Sequence, residues 1–221
     1  MKLVKVRELF DLQHTAAAAL FESVKYPWDV LPLIKDFIKS LGSELQDSEY
    51  DHPAEYVWIA KTAEIADSVS ISGPCIVFGG AQLRHCAFIR GNVIIGEDCV
   101  VGNSSELKNV ILFDHVQVPH FNYVGDSVLG YKAHLGAGAI TSNVKSDRTN
   151  IVVKDGGREI ETGLEKFGAM LGDRVEIGCN SVLNPGTVVG RNTIVYPLCS
   201  VRGVVPADCI YKSPGNIVCK N

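Results

Sequence analysis

The feature that most restricts the fold of this chain is a sequence repeat with a period of six. In two long stretches an aliphatic residue returns at every sixth position, often followed by glycine or another small residue. The first series is Ile59, Ile65, Ile71, Val77, Leu83, Ile89, Ile95, Val101 and Leu107, and the second is Leu171, Ile177, Leu183, Val189, Val195 and Val201. A period of six matches neither an α-helix nor a simple alternating strand. It predicts a parallel β-helix in which each hexapeptide forms one short strand and three sides close a triangular coil of about 18 residues.

The first 52 residues do not follow this period. Residues 6–24 contain a predicted helix with Thr15 as its N-cap, and residues 30–41 contain a second one that stops at Gly42. The polar residues 43–53 read as a linker. We therefore expect a helical cap and linker over 1–52, covering the open end of a β-helix domain over 53–221. An element for oligomerisation or partner binding is the alternative role of the helices.

Two breaks interrupt the repeat. The first is the run VPHFNYVGD (118–126), where the frame predicts core aliphatics at the positions of Pro119 and Gly125. We expect the coil to give up a stacking aliphatic here, so that His120 and Tyr123 face a cleft. The second break, at about 141–169, contains two predicted strands around Asp155-Gly156-Gly157 and hence a protruding hairpin. Because loops on a rigid scaffold commonly carry function, residues 115–154 are the candidate region.

This region contains the side chains that acyl transfer requires. His120 can accept a proton near neutral pH. Asparagine and tyrosine side chains, here Asn122, Tyr123 and Asn143, can stabilise a developing oxyanion. His134 lies nearby in the sequence, and cations on the loop suit a phosphate or another anionic group. These cations are Lys132, Lys145, Arg148, Lys154 and Arg158.

The run HFNYVGDSVLGYKAHLGAGAITSN (120–143), with GREIETGLEKFGAMLGDRVEIG and NPGTVVG further on, resembles a known family. It is similar to the acetyltransferase domain of bifunctional sugar-1-phosphate nucleotidyltransferase/acetyltransferases, which have hexapeptide repeats, over roughly residues 75–215. The resemblance implies a left-handed β-helix, a homotrimer, and transfer of an acetyl group from acetyl-CoA to the amine of an amino-sugar phosphate such as glucosamine- or galactosamine-1-phosphate.

The same resemblance assigns roles to individual residues. It implies that His120 is the general base and that Tyr123 and Asn143 line the sugar site. It also implies that the backbone of Ala137 contacts the acetyl end of acetyl-CoA. Three further residues would lie along the coenzyme A groove: Cys179, Pro197 and Lys212.

The chain departs from the family pattern at several positions. The bacterial enzymes typically carry asparagine at the position of His134 and tyrosine at that of Val144, and their sugar-site lysine falls near Thr149. We therefore assign substrate binding to Lys145, Arg148, Lys154 and His134, and leave the acceptor sugar open. The N-terminal segment contains no Gly-rich nucleotide loop. Nucleotidyltransferase activity is consequently not expected.

Two other classes of function compete with acyl transfer. IRGN (89–92) with His115 and His120 is similar to part of the zinc site of γ-class carbonic anhydrases. However, the third candidate, His85, stands 30 positions before His115, which is not a whole number of coils. We therefore predict no metal site. The other alternative is a non-catalytic domain that binds a sugar nucleotide or acts as a trimerising scaffold.

The composition restricts the classes of partner that we expect for this chain and its expected location in the cell. A net charge of −4 gives no basic field for nucleic acid or an anionic membrane. No apolar run reaches the roughly 18 residues that span a bilayer. The seven cysteines form no CxxC pair, and we expect them to be small buried hydrophobic residues in a reduced, cytoplasmic protein.

Overall fold

The hexapeptide repeat folds into a parallel β-helix with three sides in the computed structural model, which describes residues 4–220. Three α-helices precede it, α1 (Val6–Leu9), α2 (Ala18–Glu22) and α3 (Ile34–Gly42), with 3-10 turns at Leu12–His14 and Pro27–Val30. The predicted fold class, mainly β with stacked parallel coils and a small N-terminal helical segment, is therefore confirmed.

Each coil passes through side 1, side 2 and side 3 in that order. Side 1 contains β2 (Val57–Ala60), β5 (Cys75–Val77), β8 (Val93–Ile95), β17 (Ala169–Leu171), β20 (Thr187–Val189) and β23 (Val204–Val205). Side 2 contains β3 (Glu64–Ile65), β6 (Gln82–Leu83), β9 (Val100–Asn103), β11 (Gln117–His120), β13 (His134–Leu135), β18 (Glu176–Ile177), β21 (Ile194–Val195) and β24 (Cys209–Ser213). Side 3 contains β4 (Ser70–Ile71), β7 (Phe88–Ile89), β14 (Ile140–Thr141), β19 (Val182–Leu183) and β22 (Ser200–Val201).

The remaining strands connect or extend these sides. β10 (Glu106–Leu112) and β12 (Tyr123–Leu129) run through the corner from side 3 to side 1. β1 (Tyr50–Ala54) and β25 (Asn216–Cys219) pair antiparallel with β2 and β24. β15 (Val152–Asp155) and β16 (Arg158–Glu161) form the predicted hairpin. Its two central residues, Gly156 and Gly157, have φ of 54° and 89°, which a two-residue type I′ turn requires.

The interpretation of VPHFNYVGD as a place where the coil loses a core aliphatic is wrong. Val118 and Val124 are both 0% exposed, and Val124 pairs with Leu107 in the preceding coil. The frame changes at the corner between sides 3 and 1. There the core residues Leu107 and Leu112, and again Val124 and Leu129, stand five positions apart instead of six. The corner is one residue shorter because β10 and β12 continue straight through it.

The N-terminal helices lie along side 1 of the β-helix. They do not lie over its open end, which is the position that the sequence predicts for a cap. α3 contacts β5, β8 and β10. Further along the β-helix, the rings of Phe10 and Phe21 pack on Phe113 at centroid distances of 5.1 and 5.5 Å. The Asp11 amide donates to the carboxylate of Asp173, at 2.8 Å. The domain boundary near residue 52 stays a prediction.

Side 1 attracts the helices because it is apolar on both faces. Strand residues alternate between the core and the outside, so the middle residue of each three-residue strand faces outward. In the six coils from β5 to β20 the outward residues of side 1 are aliphatic or methionine, and all are 0% exposed: Ile76, Ile94, Ile111, Val128, Met170 and Val188. A strand buried on both faces reads as a continuous apolar run, which is the pattern of CIV, VII and AML here.

The helix boundaries differ slightly from prediction. The first predicted helix is divided into α1 and α2, and Thr15 caps the turn before α2 by accepting from the Ala17 amide at 3.1 Å. α3 ends at Gly42 as predicted. Within residues 4–220, no helix combines the length and apolar character needed to cross a bilayer.

Candidate functional site

His120 stands at the corner between sides 2 and 3, exposed at the end of β11. The Gly138 amide donates to the His120 carbonyl at 2.9 Å. Two further coils repeat this bond, from Asn180 to the Ala137 carbonyl and from Leu198 to the Cys179 carbonyl, each at 2.9 Å. Four residues therefore occupy equivalent positions in consecutive coils. We call them the corner row: His120, Ala137, Cys179 and Pro197.

Lys212 lies beside the end of the corner row. β21 and β24 pair with Val195 opposite Tyr211, so Lys212 aligns with Tyr196, the residue before Pro197. Its backbone carbonyl accepts from the Cys199 thiol at 3.4 Å. The structure thus brings all four residues assigned to the coenzyme A groove onto one edge of the β-helix, with Lys212 one position out of line.

A buried asparagine holds the backbone around His120. Asn122 is 2% exposed, and its Oδ1 accepts from the His120 amide at 3.0 Å. Its Nδ2 donates to the carbonyls of Gly136 and Ala139, at 2.8 and 3.1 Å. Within residues 4–220, the His120 ring makes no hydrogen bond or ion pair. Asn122 is therefore a scaffold residue, while the ring of His120 is open to a ligand.

A second polar cluster lies at the corner between sides 3 and 1. Its centre is Asp126, which is 3% exposed. The carboxylate accepts from Lys108 Nζ at 3.2 Å, from Asn109 Nδ2 at 2.9 Å, and from Asn143 Nδ2. Sequence reasoning missed Asp126 and Lys108, although Asp126 is the last residue of VPHFNYVGD. A charged residue inside a run of core residues was the available signal.

Tyr123 and Asn143 meet above Gly125. A Cβ atom at Gly125 would lie 2.6 Å from the Tyr123 hydroxyl and 2.8 Å from Asn143 Nδ2, so glycine leaves the space in which they approach. Burial raises the pKa of Tyr123, and the charge of Asp126 raises it further, against the opposing hydrogen bond with Asn143. The Tyr123 hydroxyl therefore stays neutral and able to donate. Tyr123 follows His120 by three residues, so both clusters border side 3.

The hairpin and the β-helix enclose a cleft of about 370 Å³ at the same corner as Asp126. Lys145, Lys154 and Arg202 line it. Lys145 Nζ lies 3.7 Å from Asp147, and Lys154 Nζ lies 3.3 Å from Glu159. Two predicted substrate-binding lysines thus come together, with Arg202 as a cation that the sequence did not indicate. Arg148 is exposed on the loop, outside the described lining of this cleft.

His134 occupies a different place from the other predicted site residues. It lies on side 2, where its Nδ1 is 2.7 Å from Glu176 Oε2. Its register partner is Gln117, three residues before His120. His134 therefore stands at the opposite edge of side 2 from the corner row. It lines a separate cleft of about 330 Å³ together with His115 and Lys132.

His85 and His115, two of the three histidines considered for a zinc site, stand at different corners, as their spacing predicted. His85 lies on the corner of His120, and its Nδ1 is 2.6 Å from Ser68 Oγ. His115 lies at the corner between sides 1 and 2, 3.7 Å from an oxygen of Asp98. In the part of the chain that the structure describes, no group of three or more His, Cys, Asp or Glu side chains is arranged to hold a metal ion.

Comparison with known proteins identifies relatives along the whole chain. The family model for the GMPPB C-terminal domain matches residues 54–157. "Bifunctional protein GlmU" of Methanococcus vannielii is 30% identical over 238 residues, which cover 99% of this chain and 53% of the relative. The bifunctional sugar-1-phosphate nucleotidylyltransferase/acetyltransferase of Sulfurisphaera tokodaii is 32% identical over 159 residues, covering 64% of this chain and 40% of the relative. The resemblance inferred from the sequence is confirmed.

The likeness is partial in two respects. The curated relatives that match nearly all of this chain are longer proteins, and the chain spans about half of their length. Among solved structures, the acetyltransferase domain of PglB from Neisseria gonorrhoeae FA1090 is similar at a TM-score of 0.37 and 11% identity, over 81% of this chain and 62% of that domain.

Proposed function

We propose that this chain, as a relative of the bifunctional nucleotidyltransferase/acetyltransferases, is an acetyltransferase. It would transfer the acetyl group of acetyl-CoA to the amine of an amino-sugar phosphate, with glucosamine- and galactosamine-1-phosphate as the first candidates. The observation that carries the proposal is the corner row, because one exposed histidine and the residues assigned to the cofactor follow one another along a single edge. The proposal does not extend to nucleotidyl transfer.

His120 is the proposed general base. Its ring would take the proton from the amine while the amine attacks the thioester carbonyl, after which the coenzyme A thiolate leaves. Ala137 lies one coil further along the row, so its backbone would meet the acetyl end of a cofactor that continues past Cys179 and Pro197. Lys212, beside the end of the row, would bind the anionic part of the cofactor.

The sugar phosphate would lie across side 3. Tyr123 and Asn143 would bind its hydroxyl groups, since Tyr123 keeps its proton and Asn143 is oriented by Asp126. The cations of the hairpin cleft, Lys145 and Lys154, would bind the phosphate. Arg148, exposed on the adjoining loop, would supply a third positive charge. The separate position of His134 makes it the weakest of the substrate-binding assignments.

The corner row also supports the proposed homotrimer. Two apolar side chains on this corner are strongly exposed, Phe121 at 63% and Leu198 at 80%. An interface between copies along this corner would cover both side chains, and a groove between parallel copies would enclose a long ligand such as coenzyme A. A cytoplasmic location is proposed as well, because all seven cysteines are thiols.

The test is an assay of the purified protein with acetyl-CoA and a panel of amino-sugar 1-phosphates. Mass spectrometry of the N-acetylated product is the readout, because the seven protein thiols would react with the reagents that detect free coenzyme A. His120→Ala is expected to lower kcat by roughly 10²- to 10⁴-fold, the usual contribution of a general base. His85→Ala, on the same corner, is the matched control and should retain full activity.

Three outcomes would reject the proposal. The first is no product across the panel together with no heat of acetyl-CoA binding. The second is an unchanged kcat for His120→Ala. The third is a protein that binds a sugar nucleotide but does not bind acetyl-CoA, which would favour the non-catalytic scaffold.

A further inference from the structure

Two cysteines face each other at the C-terminal end of the β-helix. β25 pairs antiparallel with β24, and Cys209 is directly opposite Cys219. Their sulfur atoms are 4.0 Å apart. The neighbouring pair is hydrogen-bonded, since the Lys220 amide donates to the Asp208 carbonyl at 2.7 Å. Cys209 and Cys219 therefore form a non-hydrogen-bonded pair, in which the Cα atoms of antiparallel strands approach to about 4.5 Å.

This geometry is compatible with a disulfide. Disulfides join cysteines whose Cα atoms are about 4.4–6.8 Å apart, a range that includes the spacing of a non-hydrogen-bonded pair. The sulfur atoms already point toward each other, so bond formation requires small side-chain movements without a change of register. In the described part of the chain, this is the cysteine pair that shows a sulfur–sulfur contact.

We propose that Cys209 and Cys219 form a reversible disulfide on exposure to a peroxide, and that this bond fastens β25 to β24. The two thiols differ in access, since Cys219 is exposed whereas Cys209 is 1% exposed. Cys219 is consequently the thiol that meets the oxidant, and Cys209 is the thiol that resolves the product. This inference is independent of the proposed acetyltransferase activity.

The reaction balances with hydrogen peroxide as the oxidant. The Cys219 thiolate attacks one peroxide oxygen, the O–O bond breaks, and a sulfenic acid and hydroxide form. Cys209 then attacks the sulfenic sulfur, and the S–OH bond breaks as the S–S bond forms. The two thiol protons leave in two molecules of water, so two thiols are oxidised and one peroxide is reduced. A thiol reductant reverses the bond by exchange.

The order of these steps follows from the environment of the thiols. Burial raises the pKa of Cys209, and the adjacent Cys219 raises it further. The thiolate is the nucleophile, so the buried thiol is the slower one to react with an oxidant directly. The exposed thiols elsewhere, Cys86 and Cys179, have no described sulfur neighbour to resolve an oxidised product.

Fastening β25 has a structural consequence because this strand is weakly held. All four of its side chains are exposed, so backbone pairing with β24 provides most of its attachment. Segments with few buried side chains open readily by local unfolding. A covalent bond between the strands closes that opening. The amides of residues 216–219 should therefore exchange more slowly after oxidation.

The experiment uses the full chain, first reduced and then treated with hydrogen peroxide. Trypsin cleaves after Arg202, Lys212 and Lys220, which puts Cys209 and Cys219 on separate peptides, GVVPADCIYK and SPGNIVCK. Mass spectrometry is expected to find these two peptides linked, with the loss of two hydrogen atoms, and released again by dithiothreitol. Hydrogen exchange of residues 216–219 is expected to slow at least tenfold in the oxidised protein.

Two variants give the matched controls. Cys219→Ser removes the exposed partner and should abolish both the linked peptide and the slowed exchange. Cys179→Ser removes another exposed thiol and should change neither. The proposal is overturned if both peptides remain unlinked while Cys86 and Cys179 are oxidised, or if Cys219 links to a different cysteine or a second chain instead. Slowed exchange in the oxidised Cys219→Ser protein would also overturn it.

Discussion

Asn122 is the residue whose replacement tests most directly how His120 is held at its corner. The Asn122 side chain is only 2% exposed and makes three short hydrogen bonds, one to the His120 amide and two to carbonyls of the next coil. A fourth, longer one comes from the Ser105 hydroxyl at 3.5 Å. Each of the three short bonds contributes about 1 kcal/mol net, so Asn122→Ala should lower the free energy of unfolding by about 3 kcal/mol. For a chain of this size that corresponds to a drop of roughly 6–12 °C in Tm.

The measurement is thermal unfolding followed by circular dichroism, with the acetyltransferase assay run on the same preparations below the lowered Tm. Activity should fall along with stability, because the backbone of His120 loses its side-chain anchor. Asn103→Ala is the control, since Asn103 pairs with His120 in register but makes a single exposed side-chain bond, to the His85 carbonyl at 3.1 Å. A Tm for Asn122→Ala within about 2 °C of the wild type, instead of a drop of at least ~6 °C, would show that Asn122 does not anchor this corner. An equal loss for Asn103→Ala would do the same.

Three further predictions concern other parts of the chain. Asp126→Ala removes the acceptor that orients Asn143, so kcat/KM in the product assay should fall by about tenfold or more, and an unchanged value would exclude this orienting role. Burial raises the pKa of Asp114 above its unfolded value of about 4, so the folded protein binds this proton more tightly than the unfolded chain does. The stability that this proton contributes is complete below the unfolded pKa and is lost as pH rises through the folded pKa. Asp114→Asn should therefore flatten the fall in Tm just above pH ~4, and the same slope in both proteins would contradict this. In Gly42→Ala the new Cβ would lie 2.6 Å from the Trp58 ring, and an overpacking cost of about 1–3 kcal/mol outweighs a helix gain of up to about 1 kcal/mol. Its Tm should fall, and a rise would show that Trp58 moves aside freely.

The shortened corner between sides 3 and 1 explains why the core residues of VPHFNYVGD were predicted one position too late. Removing one residue from a corner shifts every later core position by one, and the sequence shows only that the frame has moved. Both Val118 and Pro119 stand near the expected core position, and the choice between them depends on where the preceding coil turned. The structure shows that the turn after Leu107 was already short, so the core continues unbroken through VPHFNYVGD.

The position of the helices and the role of Asp126 were decided by contacts between distant residues. The apolar outward residues of side 1, such as Ile94 and Ile111, were visible in the sequence as continuous apolar strands. They do not tell by themselves what covers that face, and the contacts of the folded chain place the helices there. Asp126 shows no such local signal of its partners, because Lys108, Asn109 and Asn143 reach it from other coils.

The sequence by itself determined the architecture of this protein, since an aliphatic residue at every sixth position can be buried in one way, by stacking on its equivalents in neighbouring coils. It also determined the hairpin, whose two-residue turn depends on the local freedom of Gly156 and Gly157. Only the tertiary structure decided which corners are short, which face the helices cover, and which polar side chains meet. Those features depend on residues brought together by whole coils, and the period of a repeat carries no information about them.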